Sequence, residues 1–60
     1  MCEFKVFLGD DKVAEDIIYA KMEGHRVILR DVLGKPVVVD GARIAEVDVS
    51  STRLMLEKTS

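Results

Sequence analysis

The chain has no tryptophan and only one cysteine, one histidine and one proline, and its large rings are limited to Phe4, Phe7 and Tyr19. With Cys2 as the only thiol, an internal disulfide is impossible. Long apolar runs are missing as well. The longest is the four-residue stretch from Ile17 to Ala20, whereas a membrane-spanning helix needs roughly 20 apolar residues. Glu3, Lys5, Asp10 and Asp11 interrupt the place an apolar signal region would occupy, so no signal peptide is expected. No run of like charge exceeds two residues, which leaves neither an acidic tail nor a basic arm. Nine Lys and Arg against eleven Asp and Glu give a net charge of −2 and a pI near 5.2, without the basic excess that nucleic-acid binding draws on. The expected compartment is the cytoplasm, where thiols stay reduced and Cys2 is free for chemistry.

Sixty residues make a single domain, 1–60. A chain this short buries only about 60% of the surface that its unfolded form exposes. Small domains of this kind gain stability from disulfides, metals or partner subunits. With the disulfide excluded, metal binding or association is left, and a two-fold homodimer is the simplest association.

Apolar and polar residues alternate with period two in several stretches, and no helical stripe lasts three turns, so the expected class is all-β. Cys2, Phe4, Val6 and Leu8 share one face of a first strand, which Gly9-Asp10-Asp11-Lys12 ends. Val13 to Asp16 has no settled period and reads as loop. Ile18, Ala20 and Met22 then alternate with Lys21 and Glu23 up to a tight turn at Glu23-Gly24-His25. The return strand, Arg26 to Val32, places Val27, Leu29 and beyond them Leu33 on one side. Gly34-Lys35-Pro36 is a further turn, and Pro36 suits the start or edge of a strand to Val39. Asp40-Gly41 is the strongest hairpin signal in the chain, because a type I′ turn needs positive φ at both central residues. In the next strand, Ala42 to Val49, the inward set shifts from Ile44 to Val47 and Val49, and this change of parity predicts a bulge near Ala45. After Ser50-Ser51-Thr52 a last strand, Arg53 to Glu57, carries Leu54 and Leu56 on one face, and Lys58 to Ser60 are expected to fray. Five to six short strands at this length fit a small antiparallel meandering barrel of SH3-like or Sm-like type.

Few residues can carry catalysis. Cys2 and His25 could form a nucleophile and base, but His25 sits at a hairpin tip and reads as solvated. The adjacent acids Asp10-Asp11 and Glu15-Asp16 lack the repeated oxygen spacing of a calcium loop, and no glycine-rich loop precedes a helix. The expectation is that the chain is not an enzyme.

Cys2 stands apart because of its position. A thiolate beside the chain terminus offers sulfur, a backbone nitrogen and a terminal amine, which titrates near 7.7–8.0. Divalent nickel or copper takes such nitrogen and sulfur donors in a square-planar set, whereas zinc prefers a tetrahedron. Removal of the initiator methionine would put the amine on Cys2, and its retention leaves the amine on Met1. Met1, Cys2 and Glu3 are the candidate ligand residues. The plainer reading makes Cys2 one more small hydrophobe beside Phe4, Val6 and Leu8.

The opening Met1-Cys2-Glu3, the strand Phe4-Lys5-Val6-Phe7-Leu8, the turn Val32-Leu33-Gly34 and the run from Asp40-Gly41-Ala42 to Glu46-Val47-Asp48 resemble the CooT family over nearly the whole chain. These are small nickel-binding accessory proteins linked to maturation of carbon monoxide dehydrogenase. The resemblance implies a homodimer in which Cys2 and nearby backbone or terminal nitrogens bind Ni(2+). It also implies a role as a metallochaperone that passes the metal to a nickel enzyme client. The competing reading is a small RNA-binding barrel with a basic rim of Arg26, Arg30, Arg43 and Arg53.

Overall fold

The computed structural model describes residues 3–59. Among them are six strands: β1 (Phe4–Leu8), β2 (Asp11–Glu23), β3 (Arg26–Asp31), β4 (Pro36–Asp40), β5 (Ala42–Asp48) and β6 (Arg53–Lys58). They form one sheet in the order β4-β3-β2-β1-β6-β5. The all-β expectation holds. The meander holds only from β1 to β4, because β1 next pairs with β6 in parallel, Val6 opposite Leu54 and Leu8 opposite Leu56.

The order of the strands corrects the reading of Asp40-Gly41. These residues close no hairpin, since β4 pairs with β3 and β5 pairs with β6. The two strands lie at opposite edges of the sheet, yet a single residue, Gly41, separates them in sequence. The sheet therefore rolls until its edges meet at Gly41, without a ladder that closes it. Gly41 takes φ 65°, which glycine adopts without steric cost. The N–H groups of Gly41 and Ala42 both donate to the His25 carbonyl, at 2.8 and 3.2 Å, while the Gly41 carbonyl accepts from Thr59 N–H at 3.0 Å. An Asp-Gly pair reports a need for positive φ, and a corner where a strand changes partners meets that need as well as a hairpin does.

The segment Val13 to Asp16 is strand, not loop. Its register against β1 slips between Phe4 and Val6 and again between Val6 and Phe7, and that of β2 against β3 slips between Ile17 and Tyr19. Asp16 sits at the bend with φ 58°. Extra residues absorbed in bulges break the two-residue period that would have revealed the strand. The bulge expected near Ala45 is present: Ile44 faces Leu56 and Glu46 faces Met55, so Ala45 has no partner. Lys58 is not frayed but pairs with Ala42, and Thr59 is held by Gly41. Ser60 lies outside the described residues.

The core consists of Val6, Ile17, Val27, Leu29, Ala42, Leu54 and Leu56, with Phe4, Leu8, Ala14, Val37, Val39 and Ile44 packed around it. Leu54 and Leu56 point inward as their alternation requires. Three expected inward positions do not: Val47 is 56% exposed, Val49 64% and Leu33 89%. Val47 lies directly opposite the buried Leu54 and so shares its face, but no described part of the chain covers that side chain. Leu33 lies past the end of β3, in the turn to β4, where strand alternation no longer applies.

Leu29 is fully buried at the middle of β3. Leu29→Ala should lower the free energy of unfolding by about 2–5 kcal/mol, the usual cost of such a truncation. Val38→Ala, on the exposed side of β4, should change it by less than about 1 kcal/mol. Urea titration of the two variants checks this, and equal losses would show that the core is not centred on Leu29.

Candidate functional site

Met1 and Cys2 lie outside the described residues, so Glu3 is the one member of the candidate ligand set whose placement is described. Glu3 is half-buried and leads directly into β1. Phe4, next in sequence, pairs with Ile17 at the bend of β2. Around Phe4 the rolled sheet is open. Ile17, Ile18, Tyr19 and Ala20 of β2, Ile44 and Val47 of β5 and Leu54 of β6 complete, with Phe4, an apolar cleft of about 250 Å³. The residues Ile18, Ala20 and Val47, which alternation places on an apolar face, are the ones this mouth leaves uncovered. Only Glu3 separates Cys2 from the cleft wall in sequence. Sequence reading missed the cleft, because its walls come from four strands that lie together only once the sheet has rolled.

The other polar candidates do not converge. His25 is exposed at the β2–β3 turn, as expected, and its structural role is carried by its backbone carbonyl. Glu23 and Asp40 lie near it along a shallow groove, but among the described residues no group of three or more His, Cys, Asp or Glu side chains could hold a metal. Glu15 is engaged by Lys12 at 2.8 Å. The hydrogen bond and the charge of that ammonium lower its pKa.

The arginines argue against an RNA surface. Arg26 faces Glu23 on one side and Asp40 on the other, Arg53 faces Asp48, and Arg43 is ion-paired with Glu57. Arg30 lies over the Tyr19 ring, 5.6 Å from its centroid, which occupies the only tyrosine that could stack on a base. Of the four arginines of the supposed rim, only Arg43 is ion-paired among the described residues, while Arg26 and Arg53 stand across from carboxylates in the strand register and Arg30 keeps its charge over the Tyr19 ring.

A comparison with known families decides the assignment. The family model for the CO dehydrogenase accessory protein CooT matches residues 1–57. The chain belongs to the CooT family. A comparison with curated protein sequences gave no match. Membership gives the chain an accessory role towards CO dehydrogenase and not a catalytic activity of its own, in agreement with the sparse set of reactive side chains. The match includes both terminal residues of the candidate ligand set and the strand that joins them to the cleft. No helix among the described residues is long and apolar enough to cross a membrane.

The turn that brings β6 beside β1 is held by a carboxylate. Asp48 accepts hydrogen bonds from Ser50 Oγ at 2.7 Å and from Ser51 N–H at 3.2 Å, and Thr52 comes next with φ 51°. The Thr52 carbonyl then accepts from Lys5 N–H at 2.9 Å, which fixes the turn to β1. Hydrogen bonds from Ser51 and then Ser50 lower the Asp48 pKa from 3.8 to about 2. A depressed carboxylate contributes stability that is fully present above its unfolded pKa and fades as pH falls through the folded one. The turn should therefore stay intact down to pH 3.8 and loosen towards pH 2. NMR titration of the Asp48 carboxyl carbon and the Ser51 amide should show one shared transition near pH 2. Asp48→Ala should remove that transition from the Ser51 amide, and a Ser51 amide that still titrates in the variant would refute the link.

Proposed function

We propose that this chain is a cytoplasmic carrier of Ni(2+) as cargo for a nickel enzyme client of the carbon monoxide dehydrogenase type, and that it works as a homodimer. Cys2 supplies the thiolate. The terminal amine, on Met1 or on Cys2 itself, and adjacent backbone nitrogens supply the other donors, and the carboxylate of Glu3 stands next to them in sequence. The observation that carries this reading is the family match from residue 1 to residue 57, which takes in the candidate ligands. The cleft supports the dimer, because an apolar surface left open next to the metal-binding end of a 60-residue chain is one that a second copy would cover.

The chemistry suits a carrier. Amide and amine nitrogens with a thiolate favour a square-planar divalent ion of the nickel or copper type. All of these donors must lose protons before they bind, so affinity rises with pH as the amine deprotonates. Two such half-sites at a two-fold axis would each give sulfur and nitrogen to one ion. Binding would then stabilise the dimer by mass action.

Titration of the purified protein with nickel at pH 8 should produce thiolate-to-metal charge-transfer absorbance that saturates near one metal per dimer. Cys2→Ser should abolish the band and weaken binding by on the order of 100-fold or more, while its circular dichroism stays that of the parent. Equal nickel affinity in the variant would remove Cys2 from the site. Zinc should compete weakly, because its tetrahedral preference does not suit this donor set.

A further inference from the structure

We infer that the homodimer is anchored by a reciprocal exchange in which Leu33 of each subunit enters the apolar cleft of the other. This rests on the dimer of the proposed function and specifies the surface that forms it. Leu33 is 89% exposed, by far the most exposed of the large hydrophobic residues among those described. An isolated exposed leucine would by itself mean little, but this one is carried by a tightly bonded turn. The Leu33 and Lys35 N–H groups both donate to Asp31 Oδ1 at 2.9 Å, and the Gly34 N–H donates to the Asp31 carbonyl at 2.9 Å. The Asp31 N–H donates back to the Lys35 carbonyl at 3.1 Å, and Gly34 takes φ 83°. A side chain held in place before it binds loses less freedom on binding.

The receptor lies beside the knob. Val32 N–H donates to the Asp16 carbonyl at 3.0 Å, which ties the turn to the bend whose next residues, Ile17 and Ile18, line the cleft. A knob and a hole adjacent on one face can satisfy each other across a two-fold axis that passes between them, which is the geometry an isologous dimer requires. The cleft, about 250 Å³ and walled by aliphatic and aromatic groups, has room for a leucine side chain, since roughly 150 Å³ of apolar cavity accepts a benzene. Charge is complementary too. Lys35 flanks the knob and Asp16 flanks the cleft, and neither joins an ion pair among the described residues. The exchange would bring Lys35 of one subunit towards Asp16 of the other. Because Phe4 is part of the cleft wall, the same axis draws the starts of the two β1 strands towards each other.

Light scattering and sedimentation of the full chain, without metal, test the exchange. The parent should be a dimer at micromolar concentration. Leu33→Glu, a change at an exposed position, should raise the dimer dissociation constant at least tenfold, with an unchanged circular dichroism spectrum. Val47→Glu, made from the cleft side, should do the same. Val38→Glu, at a comparably exposed valine on β4, should leave association as it is. A Leu33→Glu protein that dimerises like the parent would overturn the exchange, as would equal loss in Val38→Glu, while the dimer itself would stand. A monomeric parent would overturn both. Nickel binding that depends on Cys2 is read independently, so the metal assignment can survive either result.

Discussion

One constraint governs the architecture: the chain that runs from Pro36 to Asp48 must leave β3 and reach β6 with only Gly41 between its two halves. A flat sheet would hold those edges apart across its full width. The connection has no spare length, so the sheet must roll, and the bends in β2 at Asp16 and in β5 at Ala45 are the places where the strands yield to that curvature. The His25 carbonyl, accepting from both Gly41 and Ala42, fixes where the chain changes partner. The parallel pairing of β1 with β6 is a consequence, because β6 returns along β5 and reaches the only remaining edge of the meander, that of β1.

Rolling a short chain encloses little volume. The core is built from Val6, Ile17, Val27, Leu29 and their neighbours, and it stops short of the exposed residues Ile18, Ala20 and Val47 of the mouth. Val47 belongs to the inner face by its pairing with Leu54 but is left more than half exposed. The open mouth therefore comes from curvature and not from a lapse in patterning. It falls beside the start of β1, which places the apolar surface and the residues of the candidate metal site close together in sequence. In the proposed homodimer a second copy would cover that surface, in a domain that gains little from its own burial.

How much of this could be read beforehand depended on whether each signal was local. The bulge at Ala45 was legible because a parity change in apolar residues is a one-strand property. The buried pair Leu54 and Leu56 was legible for the same reason. Partner choice is not local: Asp40-Gly41 shows that φ must turn positive but does not say which strand lies beyond, so a strand corner was taken for a hairpin. Val13 to Asp16 misled because two register slips cancel the alternation on which strand reading depends. For the site, the sequence offers Cys2 as a lone thiol near its start, and the metal chemistry assigned to it belongs to the proposal. The cleft was not visible, since its walls come from four strands joined by the roll.

The placement of charge and of apolar surface together says what kind of protein this topology suits. Arg26 and Arg53 sit across from carboxylates in the strand register, Arg43 is paired with Glu57, and Arg30 sits on Tyr19, so acids are interleaved with these arginines along the strands. Beside the start of β1, the mouth of the rolled sheet leaves Ile18, Tyr19 and Val47 exposed. In the proposed reading, a metal held there by donors from two chain termini is bound only while the two subunits are together. Such a site can be firm in the dimer and weak in the separated chain, because neither half alone completes the donor set. A carrier needs both properties, retention during transit and release on demand, and a binding site divided across a small interface couples release to any contact that opens it.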